Sequence, residues 1–512
     1  MFGVVALGCS ARRFGELSSM KVGVVGAGPG GLGCAMLLAH NGFDVTVFEK
    51  ADIVGGRNAP IHLNGFTFDA GPTFLNMKFV LDELFQLCGR ESSDYLKFKL
   101  LDPMYQLSFA DRIIQMSSDK EHMRKELEAV FPGNIQGLNR FYAKEKVRFE
   151  RIMPNLRRHF SSLSSYVSPK AIKAIPYVFA LGSVYDNLGK YFGDENLRVC
   201  FTFQSKYLGM SPWECPAAFT MIPFVEHEFG IYHIMGGLNQ LSQAMAKVVA
   251  EEGGMVKTGA KVENLVTTGR KVTGLRLQSG ETFSFDHVVV NADFGYAFTS
   301  LVEPGKLRNY SRENISKKRY SCSTFMLYLG VEKEYAAPHH NIVFAGDYRS
   351  NISDITQGRL SEDFSFYVQN ACVTDKTLAP RGKSTVYVLV PVPNNFSGID
   401  WDKEKTSFRE KVIDAVENRT SMKDLGDNIV VEKIISPIDW ENDYNVYKGA
   451  TFNLAHNIRQ MLYLRPHNRF EELENCYLVG GGTHPGSGLP TIYLSSMISA
   501  GLISERAKIR YK

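Results

Sequence analysis

Six residues near the start of the chain, Gly26-Ala27-Gly28-Pro29-Gly30-Gly31, constrain its fold more than any others. They follow a short β-branched run, Val22 to Val25, and precede the apolar, helix-compatible stretch Leu32 to Ala39. Glycines 26, 28 and 31 therefore stand in G-x-G-x-x-G spacing between a strand and a helix. Each has a separate task. Gly26 permits the tight turn, Gly28 lets the backbone approach a pyrophosphate with no Cβ in the way, and Gly31 lets helix and strand pack closely. The helix N-terminus offers unpaired N–H groups and the positive end of its dipole to phosphate. A second strand, Phe43 to Phe48, ends at Glu49, whose carboxylate can accept hydrogen bonds from a ribose diol, worth ~1.5–3 kcal/mol each. The motif is that of a dinucleotide-binding unit, and by itself it does not separate NAD from FAD.

The remaining sequence bounds the class. A chain of 512 residues, 44% hydrophobic and 22% charged, has the length of roughly two to three domains and enough apolar residues for real cores. Cysteines 9, 34, 88, 200, 215, 322, 372 and 476 form no C-x-x-C pair. Neither a disulfide framework nor a cysteine zinc site is expected, and a reducing, cytoplasmic setting fits. A net charge of +4 is too weak a field to imply nucleic acid as a partner. Residues 1–19 place the apolar run Val4 to Leu7 before Arg12 and Arg13, the reverse of a signal peptide, and read as an extension ahead of the first strand. The uncharged window Ala174 to Val184 is eleven residues, short of the ~20 that span a bilayer, so no transmembrane helix is expected.

Two further motifs sharpen the cofactor. Gly55-Gly56-Arg57 and, beyond a hairpin-like stretch with Asn64-Gly65, Phe66-x-Phe68-Asp69-x-Gly71-Pro72-Thr73 set flexible glycines beside a guanidinium, which suits a second approach to a pyrophosphate. Near the C-terminus, Tyr477-Leu478-Val479 runs into Gly480-Gly481-Gly482-Thr483-His484-Pro485-Gly486-Ser487-Gly488-Leu489-Pro490-Thr491 and a helical stretch to Ile503, a second cradle that ends on a helix N-terminus. With Trp440, Tyr447 to Phe452, Leu464 to Asn468, Ser211 to Pro216, Gly230 to His233, Gly236-Gly237 and Val288 to Asp293, the chain from Lys21 to Ile503 resembles the bacterial phytoene and diapophytoene desaturases of the amine-oxidase-like superfamily.

That resemblance implies an α/β fold: a discontinuous Rossmann-like FAD-binding domain (20–105, 230–298 and 455–512), a helical membrane-associating and substrate-entry region (106–229) and a mixed α+β substrate-binding domain (299–454). It also implies FAD contacts at Gly26, Gly28, Gly31, Glu49, Lys50, Gly55, Gly56, Arg57, Pro72, Thr73, Val262, Asn291, Gly482, Thr483, Leu489, Pro490 and Thr491. Val262 is included as the end of a Val256 to Val262 strand that would meet the adenine, ahead of a meander through Phe285.

The implied reaction removes two hydrogens from a long polyene precursor, C30 or C40, a hydride passing to the flavin and a proton to a base, with oxygen or a quinone as final electron acceptor. Glu226, His227 and Glu228 are candidate proton carriers, with an ordinary surface role as the plainer reading. His484 could steer the flavin ring or cap the backbone. His339-His340 lacks carboxylates at metal-ligand spacing, so no metal is expected. Between Leu138 and Lys206 stand twelve Lys/Arg against five Asp/Glu, interleaved with apolar residues, a pattern suited to peripheral attachment at an anionic membrane surface. Alternatives within the family are a carotenoid isomerase and a terminal oxidase or ketolase. Outside it stands a flavin-free lipid-binding protein resembling the Rab GDP-dissociation inhibitors, against which Glu49, Gly56-Arg57 and Gly481-Gly482-Thr483 argue.

Overall fold

A computed structural model describes residues 20–509, so the expectation for residues 1–19 lies outside the described residues. A parallel five-stranded sheet takes its strands from distant parts of the chain, in the order Met255–Lys257, Asp44–Phe48, Lys21–Val25, His287–Val290 and Cys476–Leu478. The inner strands are apolar because both faces are covered. The helix Pro29–His40 is buried from Gly30 to Ala39 and packs against helices Asn239–Glu251 and Leu489–Arg506. An all-round apolar helix of this kind belongs in a core rather than at a surface.

The expected Val256 to Val262 strand is interrupted. Met255–Lys257 joins the parallel sheet, Gly259 turns the chain at φ +62°, and Val262 opens the next strand, Val262–Thr268. That strand pairs antiparallel with Lys271–Leu277, which pairs with Thr282–Ser284. The Asn64-Gly65 hairpin forms between Pro60–Leu63 and Phe66–Asp69, both turn residues at positive φ as a two-residue hairpin loop requires.

A second, seven-stranded sheet runs Ile429–Ile435, Ser323–Val331, Ser384–Val392, Phe366–Gln369, His340–Val343, Tyr105–Ser108, Ile113–Met116. The expected boundary after residue 105 therefore falls inside a strand, and the first insertion begins as a hairpin of this sheet before turning helical at Lys120–Val130. Its two longest strands sort their side chains by alternation. Phe325, Leu327 and Leu329 with Val386, Val388 and Val390 pack beneath helix Trp401–Arg419. Thr324 and Met326, with their cross-strand partners Pro391 and Leu389, line a cavity on the opposite face. Helices Ile135–Leu156, Pro169–Val178 and Met221–Phe229 also contribute to its wall.

Candidate functional site

The cavity has a volume of about 1050 Å³ and extends from the first glycine turn, past the C-terminal one, to the face of the seven-stranded sheet. It stands at the upper end of the ~300–1,000 Å³ usual for small-molecule sites.

At the first turn, Gly26 adopts φ +95°, and a Cβ on Gly31 would lie 2.2 Å from the Gly26 carbonyl oxygen, so helix and strand approach as closely as the motif implies. A Cβ on Gly28 would reach 2.9 Å from Asn291 Nδ2, whose side chain also donates to Gly26 O at 3.3 Å. No side chain caps the helix at Gly28 and no acidic residue stands in its first turn, leaving that end open to an anion. Glu49 is buried beside the turn, its carboxylate accepting from Ala27 N at 2.8 Å and Ala51 N at 3.0 Å. Two bonds leave lone-pair capacity on a carboxylate. Gly55 N donates to Ala27 O at 2.8 Å, which draws Gly56 and Arg57 against the same turn. The Arg57 guanidinium donates to Thr451 O, and Lys50 Nζ to Asp443 O; burial lowers the Lys50 pKa.

The C-terminal turn is held from outside itself. Arg465, fully buried, donates through Nη2 to Gly481 O at 2.6 Å and Leu454 O at 3.2 Å, through Nε to Thr483 O at 3.0 Å and through Nη1 to Gln460 O at 3.0 Å. Burial without a carboxylate pushes this guanidinium down to about 9. Asn468 Nδ2 donates to His484 O, and Ser487 N donates to His456 Nε2. A Cβ on Gly482 would lie 2.4 Å from Phe294 Cβ. Nothing in the local pattern of Leu464 to Asn468 marks Arg465 as a clamp, since a buried arginine serving carbonyls has no periodic signature.

Of the expected flavin contacts, Gly26, Gly28, Glu49, Lys50, Gly56, Arg57, Pro72, Thr73, Val262, Asn291, Gly482, Leu489, Pro490 and Thr491 line the cavity. Gly31, Gly55 and Thr483 stand one layer behind it. Thr483 is buried with its hydroxyl donating to Pro466 O at 2.7 Å, so it shapes the turn from the rear.

The three candidate proton carriers also lie outside the lining, and their environments differ. Glu226, on helix Met221–Phe229, is fully buried; its Oε2 accepts from Tyr105 OH and Gln204 Nε2, each at 2.9 Å. Burial pushes its carboxyl up to about 7. His227 is buried against Phe201 with Nδ1 2.8 Å from Ser117 O, and burial takes it down to about 4. Glu228 pairs with Lys120 at 3.0 Å nearer the surface. The surface role expected for a charged trio thus holds for Glu228, while the inner face of the helix takes the other two. Tyr105 lines the cavity and carries Glu226 behind it. His484 lines the cavity too, neutral, because burial lowers it to about 3.

The pattern of the flavin containing amine oxidoreductases matches residues 29–504 of this chain. An oxidoreductase from Methanosarcina mazei shares the fold at TM-score 0.61 and 17% identity, covering 93% of this chain and 99% of its own. The chain belongs to this flavin oxidoreductase family. Within it, the chain is 55% identical over 490 residues, 96% of each chain, to a 4,4'-diapophytoene desaturase (4,4'-diapolycopene-forming) of Methylomonas sp. It is 40% identical to a zeta-carotene-forming phytoene desaturase of Myxococcus xanthus, over 95% of this chain and 93% of that one. It is a flavin-dependent carotenoid desaturase.

Proposed function

We propose that the protein binds FAD across its two glycine turns and desaturates a C30 precursor, diapophytoene, laid along the cavity. The observation that carries this reading is one continuous cavity joining a dinucleotide cradle to an apolar, aromatic chamber, in a chain whose 55%-identical relative is named for that substrate. The residues fit the cofactor. The Gly26–Gly31 turn and its open helix end meet a pyrophosphate, Glu49 has acceptor capacity for ribose, and Arg57 and Lys50 supply positive charge. The turn ending at helix Leu489–Arg506 presents a second uncapped N-terminus. When bound, the flavin supplies a two-electron acceptor for a hydride. The chain's part is to fix the polyene in register and exclude water: burial along Met326, Leu389, Tyr387 and Phe203 is worth ~25 cal/mol per Å² of apolar surface.

Expression in cells that accumulate diapophytoene, and separately phytoene, tests the reading through extracted pigments. Coloured C30 polyenes are expected. Oxidation confined to the ends of an already desaturated polyene would replace the reading with a terminal oxidase, and a cis–trans change without new double bonds with an isomerase.

The enzyme works from the cytoplasm at a membrane surface and passes electrons to oxygen or a membrane quinone. Among the described residues no helix is long and apolar enough to cross a bilayer. Support for docking comes from an exposed apolar group, Val167, Ile172, Ile175, Phe179 and Leu181, flanked by exposed Lys170 and Lys173. It adjoins Val178, which lines the cavity. The basic excess of this insertion is partly taken up by the protein's own partners: Arg148 pairs with buried Glu145 at 2.7 Å, Arg157 pairs with Glu83 at the surface, and half-buried Arg198 serves carbonyls of Phe192 and Gly193. Apolar insertion therefore outweighs charge. Binding to anionic vesicles is expected to weaken only a fewfold between low and high salt, and to fall more than tenfold in Ile172→Glu/Leu181→Glu. Binding that salt abolishes would restore the basic face as the anchor.

A further inference from the structure

One cation on the cavity wall serves neither the flavin cradle nor a hydrocarbon. Lys206 belongs to the short helix Phe203–Leu208, whose Phe203, Tyr207 and Leu208 line the cavity beside it. Its ammonium stands 4.9 Å from the centroid of the Tyr348 ring, which packs against Phe344 and Trp213 at 5.2 and 5.8 Å. A ring face attracts a cation, but it leaves the three N–H donors of an ammonium unmet. Among the described residues Lys206 makes no hydrogen bond and no ion pair. Burial pushes the neighbouring Cys322 thiol up to about 12, so it is neutral and no counter-ion.

The ammonium is within reach of a ligand. Lys206 is half-buried, and its nitrogen is not one of the sealed, partnerless polar atoms; yet enclosure pushes the group down to about 8. A cation that keeps accessible surface while losing hydration has that surface on an enclosed space, and the space it borders is the cavity. A hydrocarbon offers such a group nothing, because apolar chain laid against it strips its remaining water. Hydride loss adds to the conflict: it leaves the polyene transiently cationic, and like charges repel. An oxygen with free lone pairs accepts a charge-assisted hydrogen bond instead, roughly twice as strong as a neutral one.

Resting on the desaturase reading, we infer that Lys206 is a carbonyl-binding residue, and that the chamber takes, in turn with its hydrocarbon, an isoprenoid that carries a carbonyl oxygen. Two molecules share that chemistry: a polyene oxidised to an aldehyde at its end, and a prenylated quinone of the kind that would take electrons from reduced flavin. Both match this stretch of wall, apolar along Phe203, Tyr207 and Leu208 with the ammonium among them.

The test uses flavin-loaded enzyme and three probes delivered in liposomes: a C30 polyene aldehyde, the polyene hydrocarbon of the same length, and decylubiquinone. Polyene binding is read from the shift of the absorption band, and quinone binding from quenching of protein fluorescence. The native enzyme is expected to bind the aldehyde, the quinone or both about 10–100-fold more tightly than the hydrocarbon. Lys206→Met is expected to lose that preference and to bind the hydrocarbon more tightly than the native enzyme does, opposite shifts that general damage to the fold does not produce. A loss confined to the aldehyde assigns the site to an oxidised polyene, and one confined to the quinone assigns it to the electron acceptor. A native enzyme without the preference, or a preference that survives in Lys206→Met, overturns the assignment. Should Lys206→Met lose its flavin, the carbonyl stretch of the probes bound to native enzyme decides. A stretch lowered from its value in hexane supports the proposal, and a hexane-like stretch refutes it. Native enzyme that forms no coloured polyene from diapophytoene would overturn the desaturase reading separately, since the binding comparison needs no turnover.

Discussion

The two glycine turns face one cavity, yet they are built differently. The first is nearly self-sufficient: Gly26 supplies the left-handed backbone, Gly31 the close approach, and Glu49, one strand onward, ties its carboxylate to Ala27 N. The second borrows its shape. Its carbonyls are held by Arg465 and Asn468, its Ser487 N–H by His456, and its Gly480 N–H by Ser495 Oγ at 3.2 Å. Asn291 reaches both: a Cβ added at Gly30 would lie 2.6 Å, and one at Gly480 3.3 Å, from its Oδ1. A turn that satisfies its own backbone tolerates change around it; one whose polar groups are satisfied from elsewhere fails with its supports.

The largest effect that follows is at Arg465. Arg465→Met strips four carbonyls of a charged donor and is expected to cost about 3–5 kcal/mol at ~1 kcal/mol or more per lost bond. Urea unfolding monitored by flavin release would show it, with loss of bound flavin at every concentration. A variant with full flavin and a native midpoint would break the contrast between the turns. Glu49→Ala should be milder and local. Flavin affinity falls about 10–100-fold, matching ~1.5–3 kcal/mol, while circular dichroism and solubility stay native. Equilibrium dialysis measures it, and unchanged flavin content would mean that Glu49 serves only the turn.

The smallest effect is behind the chamber wall, at Glu226, where a polar group is again satisfied from outside its own segment. Folding raises its pKa from the ordinary 4.5 to about 7, so the folded state binds the proton more tightly than the unfolded chain. Its contribution to stability is fully present below pH 4.5 and is lost as pH rises through about 7. Glu226→Gln keeps the acceptor for Tyr105 and Gln204 and has no proton to lose. It is therefore expected to be more stable than the native protein at pH 8 by about 1–3 kcal/mol, with little difference at pH 4. Parallel pH–stability curves for the two proteins would show that Glu226 is solvated after all.

What was legible beforehand follows the same division. The turn at Gly26–Gly31, the Asn64-Gly65 hairpin and the apolar runs Phe325 to Val331 and Ser384 to Val392 carry their reasons in adjacent residues, through positive φ, close approach or burial on both faces. Val256 to Val262 misled because an alternating stretch does not reveal that Gly259 bends the chain between two sheets. The family resemblance implies Thr483 as a flavin contact, whereas its hydroxyl donates to Pro466 O.

The sequence alone determined the dinucleotide cradle and the strands that build it, because glycine conformation and strand patterning act over a few residues, while the flavin and the class of reaction came through the family resemblance that its motifs carry. Tertiary structure alone decided that Arg465 clamps the second turn, that Glu226 sits behind Tyr105 and that the Tyr367 hydroxyl joins His340 to Thr73. These hydrogen bonds join residues 16 to 294 positions apart, and bonds formed across such separations leave no local pattern to read.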